Sequence, residues 1–402
     1  MKQKPFWIIL FTFILANWAG RSTAASPEQN PNLWERKVDP QVMLAARQGD
    51  TEFLVVLGEQ ADLSLAEALK TKSKKGQFVY ETLSGIAGTS QTPLLTILDR
   101  YGVDYHSFWV VNMIWVRGNI SLVQLMAEHP IVAQIAPNPY IPNPNPRLGE
   151  GPVQPQDINS IEWNISQINA PRVWNLGYLG EGIVIGGQDT GYAWEHPALK
   201  EQYRGWDGGS ADHNYNWHDT VTDGGGGCGP DTLAPCDDQG HGTHTMGIMV
   251  GNDGGTNQIG VAPGAQWIGC RNMNMGFGSP ATYAECYQWF IAPTDLNGNH
   301  PDPNKAPHVI NNSWGCPDFE GCVEPGILEA VVQAVRAAGI ITVHSAGNTG
   351  SSCSTVDQPA AIYAQSFTVG ATDSNDNITS FSSRGPVSID GSSRLKPDVS
   401  AP

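Results

Sequence analysis

Charged residues are scarce in this sequence, and positive charge is scarcer than negative. Charged residues make up 15% of the 402 residues, and the formal net charge is −17. Binding to a nucleic-acid backbone needs positive surface, so this balance argues against nucleic-acid binding as the main task. The hydrophobic share of 40% is that of a globular chain rather than a disordered one, and the length allows two or three domains.

Long apolar runs are absent except at the amino terminus. Two lysines precede an apolar run from Phe6 to about Ala19, and small residues at positions 22–25 offer a cleavage site. This pattern predicts a signal peptide over residues 1–25, and hence a secreted protein that is extracellular, periplasmic or at the cell surface. A transmembrane anchor is the alternative, but the run is shorter than the ~20 residues that cross a bilayer.

Cysteine is missing from the first half of the chain. All seven cysteines lie between Cys228 and Cys353. In an exported protein this distribution predicts disulfides confined to one domain. A zinc site is the alternative, but no C-x-x-C pair is present. Proximity in the sequence favours three pairs and leaves Cys353 over: Cys228 with Cys236, Cys270 with Cys286, and Cys316 with Cys322.

Residues 51–140 are predicted to form a small α+β domain. An apolar strand pattern is followed by a mainly helical stretch with breaks near Gly85, Gly88 and Pro93, a strand pair around Asn112, a short helix and a last strand. This order is the split βαβ plan of a ferredoxin-like domain. The flanking segments are expected to be irregular: 26–50 as an N-terminal arm and 141–160 as a proline-rich linker.

Residues 161–402 alternate between strand-like and helical patterns. Apolar runs at 182–187, 267–270, 309–313 and 340–345 predict strands, and 326–338 predicts a helix. Such alternation predicts an α/β domain with a parallel sheet that helices cover on both faces.

The first candidate for chemistry is Asp189, in the motif Asp189-Thr-Gly at the end of a predicted strand. The carboxyl ends of parallel strands are where α/β folds place their sites. Aspartic proteases use the same motif, but they need two such carboxylates and this chain has no second copy. An aspartate that only caps a turn is the other interpretation.

The second candidate is His241, in His241-Gly-Thr-His244. Histidine suits proton transfer near neutral pH, and Gly240 and Gly242 allow close approach of a partner. The two histidines could bind a metal, but no acidic ligand follows at a zincin spacing, and His244 is interpreted as a packed helix residue. Asn348, which follows a predicted strand, could donate to an oxyanion, although asparagine is common in turns.

Together these motifs resemble the subtilisin family, the subtilases, and most of all its bacillopeptidase F-like branch. The resemblance covers roughly residues 161–402, and residues 51–140 are similar in plan to the inhibitory propeptide of the same family. It rests on the segment starting at Trp163, on Asp189-Thr-Gly, His241-Gly-Thr-His, Gly260-Val-Ala-Pro-Gly264, Asn312-Ser-Trp-Gly315, Ala346-Gly-Asn348, Phe381-Ser-Ser-Arg-Gly385 and Lys396-Pro-Asp-Val-Ser-Ala-Pro402.

The resemblance implies a secreted serine endopeptidase precursor that cleaves proteins or peptides through an acyl-enzyme. Asp189 would orient His241, His241 would be the general base, and Asn348 would bind the oxyanion. The segment Ser313-Trp314-Gly315 would bind substrate backbone and form one wall of the main specificity pocket. The propeptide would act as an intramolecular inhibitor, no cofactor would take part in the chemistry, and no membrane contact is expected after signal removal.

The sequence departs from the family at the nucleophile. The family's Gly-Thr-Ser occurs here only at Gly88-Thr89-Ser90, in the segment that resembles the propeptide, and Ser345, Ser382 and Ser383 belong to other motifs. The serine is therefore expected beyond Pro402, and the 402-residue chain is expected to be inactive. A non-catalytic binding protein on the same scaffold is the alternative function, and a self-standing inhibitor built from 52–138 is a third.

Two smaller departures concern the sheet and calcium. Gln188 precedes Asp189 where an aliphatic residue is common, and Ala198 stands where the family often has a calcium-binding aspartate. Asp295, Asn297 and Asn299 alternate as calcium ligands do, but no glutamate closes the loop. A structural calcium ion is left open and is not placed.

Overall fold

The computed structural model describes residues 33–139 and 160–402. The predicted signal peptide and nearly all of the predicted linker lie outside these residues. Within the two described ranges, no helix is both long enough and apolar enough to span a bilayer.

The first domain is an antiparallel sheet with helices. Its strand order is β2-β3-β1-β4, and the elements follow the predicted strand–helix–strand–strand–helix–strand plan. The strands are β1 (Thr51–Leu57), β2 (Tyr105–Phe108), β3 (Met113–Gly118) and β4 (Val132–Pro137), and the helices are α1 (Pro40–Ala46), α2 (Lys72–Ser90), α3 (Thr92–Tyr101) and α4 (Ile120–Glu128).

Helix α2 of this domain differs from the sequence expectation. Helix α2 runs through Gly85 and Gly88, where breaks were predicted, and ends only before Gln91. Gln91 is buried, and its side-chain amide donates to Phe108 O over 2.8 Å, which holds the α2–α3 junction against the sheet. Tertiary packing thus overrides the weak helix propensity of glycine.

The described part of the expected N-terminal arm, residues 33–50, belongs to this domain. Asp39 caps α1 by accepting a bond from Gln41 N, with Pro40 at the first helical position. Val38, Val42 and Ala46 recur at helical spacing and pack into the same core as β1 and β4. These three apolar side chains hold the segment against the sheet, although its polar composition predicted an irregular arm.

The second domain contains a seven-stranded sheet in the order β11-β10-β9-β8-β5-β7-β6, and all its pairs are parallel. The strands are β5 (Val184–Asp189), β6 (Trp217–Asp219), β7 (Gln266–Arg271), β8 (Val309–Asn312), β9 (Ile341–Ser345), β10 (Phe367–Ala371) and β11 (Val399–Ala401), and the helices are α5 (Trp163–Gln167), α6 (Ala170–Trp174), α7 (His241–Val250), α8 (Pro280–Ile291) and α9 (Glu329–Ala337). Short 3₁₀ helices lie at Glu35–Lys37, Ser64–Ala68, Lys200–Gln202, Pro303–Lys305 and Asp318–Glu320.

Helices cover both faces of this sheet, as the sequence predicted. Alternate residues of β7 point to opposite faces: Trp267 packs with Met246 of α7, whereas Ile268 packs in the cluster that contains α8 and α9. A parallel sheet buried on both faces is confirmed.

The disulfide prediction is also confirmed. The three bonds join Cys228 to Cys236, Cys270 to Cys286, and Cys316 to Cys322. The second of these ties β7 to α8. Cys353 is exposed and carries a free thiol.

The two domains share one hydrophobic cluster and several polar contacts. Gln288 of α8 accepts hydrogen bonds from Trp109 N over 2.7 Å and from Val110 N over 3.1 Å. Lys72 Nζ donates to Ala306 O over 2.9 Å, and Asn138 accepts from Ala281 N over 3.0 Å. The small domain therefore sits on α8 and sends its last described residues along the amino-terminal end of that helix.

Candidate active site

Three predicted site segments leave the sheet along one edge. Asp189 ends β5, Ser313-Trp314-Gly315 follows β8, and Asn348 lies three residues past the end of β9. These strands are neighbours in the order β9-β8-β5 and run parallel, with Gly187 opposite Asn311 and Asn311 opposite Val343. Their carboxyl ends are therefore level, which is where α/β folds place their sites.

Asp189 and His241 form a hydrogen-bonded pair. The Asp189 carboxylate is 0% exposed, and its Oδ1 lies 2.7 Å from His241 Nδ1. The same oxygen accepts from Thr190 N over 2.8 Å. Because a carboxylate can only accept, His241 Nδ1 carries the proton of this bond. Nε2 is then the nitrogen that can take up a proton from a third group.

Helix α7 begins directly over the end of β5, which is why the pair meets. Gly240, just before the helix, has a φ of +97°, which a residue with a side chain rarely adopts. A Cβ on Gly242 would collide with Gly191 O and would lie 3.0 Å from Asp189 Cβ. The glycines flanking His241 thus permit the close approach that the sequence predicted.

Asp237 organises this junction, and sequence reasoning did not assign it a role. Its Oδ1 accepts from Thr190 Oγ1 over 2.8 Å and from Gly240 N over 2.7 Å, and its Oδ2 accepts from Thr243 N over 2.9 Å. Thr190 Oγ1 in turn accepts from Gly242 N over 3.0 Å. An acidic residue shortly before the amino end of a helix was the signal that could have identified it.

The electrostatics of the pair favour a basic imidazole. The hydrogen bond to Asp189 raises the pKa of His241 above its ordinary value. Burial raises the pKa of Asp189, while the hydrogen bonds from His241 and Thr190 act in the opposite direction. The His241 side chain is 43% exposed, so the ring is open to a reacting group on one side. This is the arrangement of a general base held in one tautomer.

The other predicted site residues lie at the same edge without bonding to the pair. In the described part of the chain, no hydrogen bond joins Asn348 to Asp189 or His241, and Asn348 is exposed. Ser313 Oγ accepts from Asn311 Nδ2 over 2.9 Å. Trp314 is only 6% exposed and stacks on Tyr283 with ring centroids 3.9 Å apart. The indole therefore packs into the protein interior against α8 rather than at the surface of the site. Gly315 lies against the Gln358 side chain.

Three of the four serines that the sequence offered have other partners. Ser90 lies in α2, in the other domain, and donates to Ile86 O over 2.7 Å. Ser382 is buried and accepts from Ala371 N, and Ser383 is buried and bonds to Thr349. Ser345 is the last residue of β9.

Metal ligands do not converge in the described ranges. No group of three His, Cys, Asp or Glu side chains there could hold a metal ion. The Asp295 carboxylate, considered for calcium, accepts from Asn297 N, Asn299 N and His300 Nδ1, and so closes its own loop. His244 is exposed on α7 rather than packed.

Comparison with known proteins points to one family. A family model described as the subtilase family matches residues 180–402. Bacillopeptidase F of Bacillus subtilis (strain 168) is 37% identical over 358 residues, which cover 83% of this chain and 23% of that protein. Subtilisin Savinase of Lederbergia lenta is 29% identical over 227 residues, which cover 56% of this chain and 69% of that protein.

A solved structure agrees on the fold. The crystal structure of the epidermin leader peptide processing serine protease EpiP from Staphylococcus aureus aligns with a TM-score of 0.57 and 16% identity, covering 88% of this chain and 74% of that one. At this identity the likeness concerns the fold alone. The chain spans less than a quarter of Bacillopeptidase F, 23% of its length.

Proposed function

Because this chain belongs to the subtilase family of serine proteases, we propose that it is the larger part of a secreted serine endopeptidase precursor. The observation that carries the proposal is the 2.7 Å bond between buried Asp189 and the base His241. Three disulfides in the second domain support an oxidising, extracellular destination.

The proposed reaction is acyl transfer. A serine hydroxyl attacks the peptide carbonyl while His241 Nε2 takes its proton, and Asp189 stabilises the imidazolium that forms. Asn348 donates to the oxyanion of the tetrahedral intermediate. The C–N bond then breaks as Nε2 returns the proton to the leaving amine, and water hydrolyses the acyl-enzyme by the same steps. Ser313, Trp314 and Gly315 offer the backbone groups against which an extended substrate would align.

We place the serine beyond Pro402. Strand β11 pairs in parallel with β10, so its end at Ala401 lies at the same sheet edge as Asp189. Four strand spacings separate β11 from β5, which is roughly 19 Å. A following segment of at least about six extended residues could bring a hydroxyl across this edge to His241.

The first domain is proposed to be the inhibitory propeptide. Its last described residues, Asn138 and Pro139, leave β4 towards the start of α8, and Pro139 lies against Gly321. Gly321 is part of the Cys316–Cys322 loop, which follows Ser313-Trp314-Gly315 in the chain. This route would carry the following residues towards the proposed substrate-binding segment. Cleavage of the tail would then release the inhibitor.

A serine-directed fluorophosphonate tests the proposal on the chain extended past residue 402. The extended protein should be labelled, and His241→Ala should not, because the serine then has no base to take its proton. His244→Ala is the matched control, since His244 is exposed on the same helix one turn further on. Labelling that survives His241→Ala would contradict the proposed base. An extended gene with no Gly-Thr-Ser followed by small residues after codon 402 would favour the non-catalytic binding protein instead.

A further inference from the structure

A layer of polar side chains lies inside the parallel sheet, directly behind the proposed active site. Strands covered on both faces are normally apolar. Here Gln188, Asn272 and Asn312 are each 0% exposed, and His344 is 1% exposed. They come from β5, from the residue after β7, from β8 and from β9, which are four adjacent strands.

Hydrogen bonds join these side chains across the strands. Gln188 Nε2 donates to Asn312 Oδ1 over 2.5 Å, and Asn272 Nδ2 donates to Gln188 Oε1 over 3.1 Å. Asn312 Nδ2 donates to Val343 O of β9 over 2.9 Å. Gln188 is thus the central member, because its amide bonds to Asn272, just after β7, and to Asn312 in β8.

The layer ends in a neutral histidine. Burial lowers the pKa of His344 to about 3, so the ring is uncharged near neutral pH. Its Nε2 lies 3.5 Å from Asn312 Nδ2 and 3.4 Å from Tyr287 Oη of α8. The layer therefore contains no charged side chain, and its members interact as neutral hydrogen-bonding groups in fixed orientations.

Three members of the layer adjoin a position that the proposed reaction uses. Gln188 immediately precedes Asp189, and Asn312 immediately precedes Ser313. Asn272 is connected to Asp189 twice, because its backbone N–H donates to Asp189 O over 3.1 Å while its side chain holds Gln188. Buried amides cost stability unless they are paired, and apolar side chains would fill these positions without that requirement.

We propose that Gln188, Asn272 and Asn312 form a positioning network that fixes the carboxyl end of β5, and with it the geometry of the Asp189–His241 hydrogen bond. These three are positioning residues, since none of them touches the reacting atoms. A shift of the strand end by a fraction of an ångström would misdirect the carboxylate, and site geometry of this kind depends on such supporting bonds. The role in catalysis rests on the proposed function, whereas the network's effect on His241 can be measured without it.

The test uses the 402-residue chain and reads His241 by NMR. With ¹⁵N-labelled histidine, the Nδ1–H bound to Asp189 gives a low-field resonance, which is assigned by its loss in His241→Ala and Asp189→Asn. Gln188→Met keeps the side-chain length but removes the amide that joins Asn272 to Asn312. We expect this variant to lose the resonance and to lower the pKa of His241 towards its ordinary value of about 6.5.

A second variant separates positioning from stability. Gln188→Met alone leaves the buried atoms Asn272 Nδ2 and Asn312 Oδ1 without their hydrogen-bond partner and so destabilises the fold. In Gln188→Met/Asn272→Leu/Asn312→Leu all three polar groups are replaced by apolar groups of similar size, which should restore stability. A merely structural network predicts that the His241 resonance returns together with stability. Positioning predicts stability without the resonance.

Thr342→Val is the matched control. Thr342 is fully buried in β9, and in the described ranges its hydroxyl has no hydrogen-bond partner, so the substitution breaks no bond. It should leave the His241 resonance and pKa unchanged. An unchanged resonance and pKa in Gln188→Met would overturn the network alone. If His241→Ala and Asp189→Asn also changed no histidine signal, the Asp189–His241 pair, and with it the proposed function, would fail instead.

Discussion

The hydrogen bonds of the Asp237 carboxylate predict that this residue supports both the stability of the fold and the placement of His241. It accepts five hydrogen bonds, from Thr190, Gln239, Gly240 and twice from Thr243. These bonds tie the residue after Asp189 to the first turn of α7. Replacement of Asp237 by alanine removes every acceptor at once and should loosen the helix start that carries His241.

The size of the effect follows from the burial of the donors. Gly240 N is exposed, so water replaces its lost acceptor, and we do not count it. The other four bonds are partly buried, but the hydroxyls of Thr190 and Thr243 can rotate to another acceptor, so we count only the two bonds from Gln239 N and Thr243 N. Each bond to a charged acceptor contributes about 1.5–3 kcal/mol, so Asp237→Ala should lower the free energy of unfolding by about 3–6 kcal/mol. Asp237→Asn keeps one acceptor oxygen and should lose about half of this.

Urea unfolding followed by far-UV circular dichroism measures this difference. Asp253→Ala is the control, because Asp253 lies in the loop after α7 and accepts a bond from the exposed Gly255 N. It should change the free energy of unfolding by no more than about 0.5 kcal/mol. If Asp237→Ala were to fall within about 1 kcal/mol of the unsubstituted protein, the carboxylate would not be the organiser of this junction.

Three further predictions concern pH, thiols and the domain interface. Burial raises the pKa of Asp238 to about 6. The folded state therefore binds the proton more tightly than the unfolded state, and this group's contribution to stability should fall as pH rises from about 4 to 6. Asp238→Asn should abolish this fall in the free energy of unfolding, measured by denaturant titration at several pH values. An unaltered pH profile would contradict the prediction. When the protein is denatured without reduction, one thiol, that of Cys353, should react with a thiol reagent. A higher number of reactive thiols would mean that a disulfide is absent. Gln288→Ala leaves Trp109 N and Val110 N without their acceptor, at about 1–3 kcal/mol each; both amides should exchange hydrogen at least ~10-fold faster, and unchanged protection would show that another contact holds the domains.

The sheet and its edge were predictable because they depend on local pattern. Short apolar runs identified β5, β7, β8 and β9 to within a few residues, and alternation with helices implied that the strands are parallel. Once strands are parallel, residues just after their ends must meet at one edge. The position of Asp189 beside His241 follows from that rule together with the flanking glycines.

What the sequence did not reveal depends on long-range packing. The inward stacking of Trp314 on Tyr283 joins the end of β8 to α8, and no local spacing links the two. The acceptor role of Asp237 depends on Thr190, which lies 47 residues earlier in the chain. The burial of Val38, Val42 and Ala46 likewise requires β4, whose Ile135 shares their core. Composition described these segments correctly as polar or aromatic but could not show what they contact.

Two separate supports hold the two halves of one hydrogen bond. Asp237 bonds to the loop and helix that carry His241, on the side of the bond that is open to solvent. Asn272 bonds to Gln188 and to Asp189 O on the strand that carries the carboxylate, in the buried interior of the sheet. A charged acceptor suits the first position because water can complete its hydration. Neutral amides suit the second because an uncompensated charge there would be far more costly. The different chemistry of the two supports therefore follows from their burial, and the geometry of the 2.7 Å bond depends on both.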